Sequence, residues 1–275
     1  MFASQGARSD PASYYLALGD SLSVGYQPAH DGLSGGRSLD GYVDDVATTL
    51  RHGQPSLRLI KLGCPRETTE TMISGGICNY ANYGARSQLA AATTFLATHR
   101  GQVGYVTLNI GINDVLRCLR AGASGSGCVT LGLASITDNL NTILAAVRKA
   151  DGGAPLSVGM TYYDPFLAEW LTVPDGQHLA AASDRVLARV NATEQALYQR
   201  FGFRIADVAG AFRTNDFTPT GPDASPASVQ TVCTLTYMCE QRDIHPNADG
   251  YTAIANAFLA QLQPSASPVR LVPAP

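Results

Sequence analysis

The sequence has few charged residues and no long apolar run. Charged residues make up 15% of the 275 positions, the formal net charge is −3, and only Lys61 and Lys149 among the 19 basic residues are lysines. This balance excludes a highly charged disordered chain and gives no sign of a nucleic-acid-binding surface. No stretch approaches the ~18 consecutive apolar residues of a membrane-spanning helix. Hydrophobic residues make up 45% of the chain, which is enough for a sizeable core.

Several motifs of other protein classes are also missing. Neither GxxxxGK nor GxGxxG occurs, so a flavodoxin-like nucleotide-binding protein is disfavoured. The segment Gly19-x-Ser21-x-Ser23 departs from the GxSxG elbow, which disfavours an ordinary α/β-hydrolase. No CxxC pair occurs, and no histidine lies three to five residues from a cysteine. We therefore do not expect a zinc site.

The six cysteines form three close pairs along the chain: Cys64 and Cys78, Cys118 and Cys128, Cys233 and Cys239. Six cysteines allow 15 pairings, of which sequential pairing is the simplest. An even number in local pairs indicates loops closed by disulfides in an oxidising compartment, with six buried free thiols as the alternative. Residues 1–11 contain no apolar signal segment, so the protein is either cytosolic or has lost a signal peptide. The cysteines favour secretion.

Short apolar runs alternate with helical patterns, which predicts an α/β fold with a mainly parallel sheet. The predicted strands are Tyr14–Leu18, Leu57–Leu62, Val103–Ile110, Leu156–Tyr162 and Phe203–Val208. The predicted helices are Gly41–Leu50, Gln88–Ala97, Leu133–Val147, Val186–Leu197 and Tyr251–Leu262. We expect one domain over residues 1–275, with extended tails at 1–12 and 264–275. We also expect a long functional loop at Gly210–Arg242.

Polar or small residues follow three of the predicted strands. Ser21 follows the first strand, Gly63 the second and Asn113 the third. Ligands of open α/β sheets bind beyond the carboxyl ends of the strands, so these residues could meet in one crevice. There a hydroxyl would lie beside backbone and amide donors able to stabilise an oxyanion. Each residue alone is explained as well or better by a turn or a helix cap.

Among the five histidines, His245 is the best candidate for a general base. It follows the long irregular segment, precedes the last predicted helix and has Asp243 two residues before it. His52 and His99 end helical patterns, where a cation interacts favourably with the helix dipole. His30 and His178 are typical of loops or helix starts. The sequence therefore favours His245 for proton transfer.

Taken in order, these motifs resemble the SGNH (GDSL) hydrolase family. They are GDSLS at residues 19–23, a glycine after the second strand, GIND at 111–114 and Asp-Ile-His-Pro at 243–246. The resemblance covers Gly19 to Gly250, and the cysteine pairs and long final loop are similar to those of secreted actinobacterial esterases and lipases. It implies a three-layer α/β/α sandwich whose flavodoxin-like, five-stranded parallel sheet has the strand order 2-1-3-4-5.

The resemblance also implies the chemistry. Ser21 would be the nucleophile of an acyl-enzyme mechanism and His245 its general base, with the Ser21 N–H, the Gly63 N–H and the Asn113 amide holding the oxyanion. No metal or organic cofactor is implied. We expect a monomeric, secreted esterase or lipase acting on a small-molecule or lipid ester. A phospholipase, a carbohydrate acetylesterase and a non-catalytic binding module of the same fold remain alternatives.

The acid is where this chain departs from the family. The usual acid lies three residues before the histidine, where this chain has Arg242. We favour a triad completed by the Asp243 carboxylate, and the alternative is a Ser–His dyad oriented by a backbone carbonyl near Arg242 or Asp243. Asp164 is a distant third choice that is better explained by ordering a turn. Apolar residues after the strand ends predict an apolar acyl pocket drawn from Met72, Ile73, Leu116, Leu119, Phe166, Leu167, Trp170 and Phe217.

Overall fold

The computed structural model describes residues 13–29, 34–121, 127–220 and 225–262. The predicted tails at 1–12 and 264–275 lie outside the described residues. Five strands form one parallel sheet with the order β2-β1-β3-β4-β5, which confirms the order implied by the family resemblance. They are β1 (Tyr14–Gly19), β2 (Arg58–Lys61), β3 (Val103–Asn109), β4 (Leu156–Met160) and β5 (Arg204–Ala206).

Helices connect the strands and cover both faces of the sheet. In chain order they are α1 (Tyr42–Gly53), α2 (Thr69–Ser74), α3 (Gln88–Thr98), α4 (Ile112–Arg120), α5 (Gly127–Asp151), α6 (Glu169–Thr172), α7 (Gly176–Arg200), α8 (Val208–Ala211), α9 (Ala227–Leu235), α10 (Met238–Gln241) and α11 (Ala248–Leu262). Short 3₁₀ turns lie at Leu22–Val24, Ala81–Tyr83 and Pro165–Ala168. None of the helices in these described stretches is both long and apolar enough to cross a membrane.

The sheet is the middle of three layers. Helices α1 and α11 pack against each other on one face, while α5 packs between α3 and α7 on the other. Parallel strands covered on both faces need apolar side chains on both, and β1 accordingly buries Tyr15 through Leu18 completely. The carboxyl ends of β1, β2 and β3 therefore lie together at one edge, where the predicted site residues follow them.

Three disulfides confirm the sequential pairing: Cys64–Cys78, Cys118–Cys128 and Cys233–Cys239. The first holds the segment that follows β2, close to Gly63. The second joins α4 to the start of α5, and the third joins α9 to α10. The disulfides therefore anchor segments next to the carboxyl edge of the sheet.

The prediction of one irregular loop at Gly210–Arg242 is wrong, because this segment contains α9 and α10. The sequence of α9, ASVQTVCTL, is rich in β-branched valine and threonine, which have a low intrinsic helix propensity. The helix forms through packing instead, since Ser228, Val229 and Val232 are buried on one side of it. Tertiary burial thus overrides local preference in this segment.

Candidate active site

The turn that carries Ser21 begins where β1 ends. Gly19 has φ of 138°, and a side chain there would collide with Asn109 on the neighbouring strand, so only glycine fits. The chain then passes through Asp20 and Ser21 into the 3₁₀ turn Leu22–Val24. Ser21 is half-buried and lines two cavities at the surface. The tight turn therefore presents its hydroxyl at the carboxyl edge of the sheet.

The buried carboxyl group of Asp20 fixes this turn through hydrogen bonds. Its Oδ1 accepts hydrogen bonds from the Leu22 backbone N–H (2.9 Å) and the Asn109 side-chain amide (2.6 Å), and its Oδ2 accepts one from the Tyr162 hydroxyl (2.9 Å). Burial raises the pKa of Asp20 to about 6, although these hydrogen bonds and the charge of His245 act in the opposite direction. The carboxyl group thus ties the turn that carries Ser21 to β3 and to the segment after β4.

A second buried group, Gln88 at the start of α3, holds the residue before Asp20. Its side-chain oxygen accepts from the Gly19 N–H at 2.6 Å, and its amide donates to the Gly19 carbonyl at 2.9 Å. The same amide donates to the buried carboxylate of Glu67 at 3.0 Å. Desolvation by burial raises the pKa of Glu67, and the hydrogen bonds from Gln88 and Tyr80 partly oppose that shift. Gln88 therefore fixes both polar groups of the Gly19 backbone.

His245 lies next to Ser21 although 224 residues separate them along the chain. Its Nε2 lies 2.9 Å from the Ser21 Oγ, and its Nδ1 lies 2.6 Å from Oδ1 of Asp243. The same carboxylate oxygen also accepts from the His245 backbone N–H at 2.9 Å. This local turn is possible because the acid lies two residues before the histidine. The ring of Tyr26 packs against the imidazole with 4.4 Å between the ring centroids.

The electrostatics of this pair keep Asp243 ionised. Burial alone would raise its pKa, but the hydrogen bonds and charge of His245, together with the charge of Arg120, outweigh it, and the pKa of Asp243 falls below its ordinary value. The side chains of Asp243 and His245 are 27% and 13% exposed, so the pair is partly shielded from water. A carboxylate in this position favours an imidazole with its proton on Nδ1, which leaves Nε2 free to accept the proton of Ser21.

The predicted oxyanion donors lie at the same edge of the sheet. Asn113, in the first turn of α4, lines both cavities next to Ser21, and its amide donates to the Glu67 backbone carbonyl at 2.9 Å. Gly63 is buried directly after β2, and a side chain there would collide with the side chain of Ser23. Glu67 therefore connects Asn113 with the Gln88 clamp that holds Gly19. Asp164, the third-choice acid, is fully buried and caps the turn at Phe166 instead.

Two different cavities adjoin Ser21. The smaller one, of about 30 Å³, is mainly apolar and is lined by Asp20, Ser21, Leu22, Ile112, Asn113, Leu116, Tyr162, Tyr163, Pro165, Phe166, Ile244 and His245. The larger one is a cleft of about 520 Å³ that shares Ser21, Asn113, Leu116, Ile244 and His245 with the smaller cavity and extends to Tyr26, Pro65, Arg66, Arg120 and Asp243. Of the predicted acyl-pocket residues, Leu116 and Phe166 line the apolar cavity. Met72 belongs to the core, Trp170 lines a separate depression and Phe217 is exposed.

The sequence did not single out Gln88, Glu67 or Tyr162. Gln88 lies 69 residues from Gly19 and Tyr162 lies 142 residues from Asp20, so no spacing along the chain reveals these contacts. Asp20 did carry a signal, because it lies inside the GDSLS segment and can accept from the N–H two residues on. In the described residues, no group of three or more His, Cys, Asp or Glu side chains is arranged to hold a metal ion.

Comparison with known proteins gives one family and several structures of the same fold. The sequence model of the GDSL-like lipase/acylhydrolase family matches residues 17–253, a range that contains all the predicted catalytic and oxyanion residues. An extracellular lipase from Streptomyces rimosus aligns over 91% of this chain and 100% of its own, with a TM-score of 0.61 and 17% identity.

Two further solved structures share the fold. A phospholipase A1 from Streptomyces albidoflavus NA297 aligns over 91% of this chain and 100% of its own, with a TM-score of 0.55 and 16% identity. A carbohydrate acetylesterase from Sinorhizobium meliloti aligns over 90% and 97%, with a TM-score of 0.50 and 15% identity. No sequence among the curated proteins matches the chain.

Proposed function

The chain belongs to the GDSL-like lipase/acylhydrolase family, and from that premise we propose that it hydrolyses carboxylic esters through an acyl-enzyme intermediate on Ser21. The observation that carries this proposal is the relay from Ser21 Oγ to His245 Nε2 (2.9 Å) and from His245 Nδ1 to Asp243 Oδ1 (2.6 Å). A hydroxyl within hydrogen-bond reach of an oriented base is the arrangement that activates a serine nucleophile.

In the first half of the reaction, Ser21 Oγ attacks the ester carbonyl while His245 Nε2 takes its proton. The negative charge that forms on the carbonyl oxygen is held by the Asn113 amide and the backbone N–H groups of Ser21 and Gly63. The imidazolium, stabilised by the Asp243 carboxylate, then protonates the alkoxide as the carbon–oxygen bond breaks. The alcohol leaves, and the acyl group stays on Ser21.

In the second half, water replaces the alcohol. His245 takes a proton from the attacking water, the same donors hold the second oxyanion, and the imidazolium returns the proton to Ser21 Oγ as the carboxylic acid departs. The apolar cavity beside Ser21 supports an apolar acyl group, because Leu22, Ile112 and Phe166 line it. A lipase, a phospholipase and an acetylesterase all carry this fold, so the fold does not decide among their substrates.

The test is covalent labelling by a fluorophosphonate combined with hydrolysis of p-nitrophenyl butyrate. We expect the label on Ser21 in the wild-type protein, and Ser21→Ala and His245→Ala should each lower kcat at least 10³-fold. Ser74→Ala and His178→Ala serve as matched controls, since both residues are exposed and line neither cavity beside Ser21. Folded protein that takes no label and cleaves no ester would instead be a binding module of this fold.

We further propose that the protein is secreted and acts as a monomer on a small-molecule or lipid ester. The three disulfides support secretion, since such bonds persist in oxidising compartments.

A further inference from the structure

The open cleft beside Ser21 is rimmed by three arginines from two parts of the chain. Arg66 lies in the segment after β2, and Arg117 and Arg120 lie in the last turn of α4. The cleft of about 520 Å³ is lined by Arg66 and Arg120 together with Ser21 and His245. An adjoining recess of about 450 Å³ is lined by all three arginines. Both share Arg66 and Arg120, so they form one depression, which we call the arginine cleft.

The three guanidinium groups are exposed, and within the described part of the chain none of them lies within ion-pair distance of a carboxylate. Arg120 acts through space on Asp243, whose own hydrogen bonds are directed to His245. Arg148 is a contrasting example of an arginine with a structural role, because it donates to the Phe201 and Gly202 carbonyls and forms an ion pair with Asp151.

The helix dipole does not explain the arrangement. Cations in the last turn of a helix are favourable, which accounts for Arg117 and Arg120 taken alone. Arg66 belongs to no helix and has a left-handed backbone with φ of 68°. It nevertheless lines both parts of the depression. The chain as a whole carries a net charge of −3, so this positive region is local.

The two cavities beside Ser21 thus differ in chemistry. The smaller cavity is lined mainly by apolar side chains, whereas the arginine cleft is lined by Arg66, Arg117 and Arg120 and contains one carboxylate, Asp243, which is bonded to His245. An ester that reacts with Ser21 has two ends, and its acyl group fits the smaller cavity. Building on the proposed esterase function, we propose that the arginine cleft binds the alcohol portion of the ester and that this portion carries a phosphate group, as in an acylated glycerophosphate.

Phosphate is the anion that this set of donors fits. Guanidinium groups present planar pairs of N–H donors that match two phosphate oxygens, and several of them can share one phosphate. The arginines line a concave depression that opens onto Ser21, and this position suits a group on the substrate itself. The observation that favours a group on the substrate over an anionic membrane surface is that Arg66 and Arg120 line the same cleft as Ser21 and His245.

The experiment compares two soluble esters with the same acyl group, 1-butyrylglycerol and 1-butyrylglycerol 3-phosphate, by the release of butyrate. For the wild-type protein at low salt, we expect kcat/KM to be about tenfold higher for the phosphate ester, since each exposed ion pair contributes modestly. The triple variant Arg66→Gln/Arg117→Gln/Arg120→Gln should bring the ratio close to one, chiefly through KM. Arg189→Gln, an exposed arginine on α7 outside both cavities, should leave the ratio unchanged.

Several readouts keep the inference separate from the proposed function. Using the ratio of two substrates cancels any effect of Arg120 on Asp243, because that effect changes both rates alike. The wild-type ratio should also fall as salt is raised from 20 to 500 mM, about as expected when the Debye length shortens. A wild-type ratio of one, with p-nitrophenyl butyrate cleaved normally, overturns the inference alone. The inference is also overturned if the arginine-to-glutamine substitutions lower the activity only on anionic vesicles and leave the ratio for the two soluble esters unchanged. Loss of all ester cleavage overturns the proposed function and the inference with it.

Discussion

Replacing Asp243 with asparagine removes one charge and keeps the shape of the side chain. A single carboxylate oxygen, Oδ1, accepts from both the backbone N–H (2.9 Å) and the Nδ1 (2.6 Å) of His245. An asparagine would turn its carbonyl oxygen to the backbone N–H, and that same oxygen would still accept from Nδ1. The variant should therefore keep the orientation and tautomer of the imidazole and isolate the contribution of the negative charge.

The size of that contribution follows from distance and exposure. Two unit charges 4 Å apart interact by about 1 kcal/mol in water and by about 4 kcal/mol at an effective dielectric constant of 20. The side chains of Asp243 and His245 are 27% and 13% exposed, which places the pair between these limits. A loss of ~3 kcal/mol of imidazolium stabilisation in the transition state corresponds to a decrease in kcat on the order of 10²-fold.

The assay is kcat for p-nitrophenyl butyrate in the wild type, Asp243→Asn and Asp243→Ala, with circular dichroism to verify folding. Alanine removes orientation as well as charge, so we expect it to cost about a further tenfold beyond asparagine. Asp138→Asn, an exposed aspartate on α5, is the matched control. If Asp243→Asn keeps kcat within threefold of the wild type, the charge is not needed. A backbone carbonyl would then orient a Ser–His dyad.

Two further predictions concern the buried groups. Gln88→Leu leaves the Gly19 N–H without an acceptor, while the Gly19 carbonyl keeps the Cys64 N–H as a donor. Urea unfolding should therefore show a free energy of unfolding lower by about 3 kcal/mol, and kcat should fall with it. An unchanged free energy of unfolding would contradict a stabilising role for the Gln88–Gly19 hydrogen bonds. Burial raises the pKa of Asp164 to about 7, so the folded state keeps a proton that the unfolded chain releases near pH 4. The free energy of unfolding should therefore decrease as the pH rises from about 4 to about 7. Asp164→Asn should therefore gain up to about 4 kcal/mol over the wild type between pH 4 and pH 8, and a pH-independent difference would refute the assignment.

The inner strands of the sheet could be predicted because they are buried on both faces. The run at Tyr14–Leu18 is continuous and apolar and the run at Val103–Ile110 is mainly so, as expected of parallel strands under two helical layers, and they appear as β1 and β3 within one residue. Strand order came from the family resemblance, since apolar periodicity carries no information about which strands are neighbours. The positions of Ser21, Gly63 and Asn113 follow from the same logic, because each comes just after a strand.

The contacts that hold the site could not be predicted from spacing. Gln88, Glu67 and Tyr162 reach the turn that carries Ser21 from distant parts of the chain. A buried glutamine in a helix has no local sequence pattern that separates it from an exposed one. The acyl-pocket prediction failed for Trp170 and Phe217 for a related reason. An apolar side chain after a strand end can face the crevice, the core or solvent, and only tertiary packing decides among the three.

Asp20 shows how the fold trades stability for the position of Ser21. Raising the pKa of a buried carboxyl to about 6, some two units above its ordinary value, costs about 3 kcal/mol when the group is ionised at neutral pH. An apolar side chain would avoid that cost, but it could not accept from Leu22, Asn109 and Tyr162 at once. Because these three donors come from separate parts of the chain, a single carboxylate fixes the turn relative to β3 and to the segment after β4. Burying the Asp20 carboxylate thus lowers the stability of the fold, while its three hydrogen bonds hold Ser21 Oγ within hydrogen-bond distance of His245.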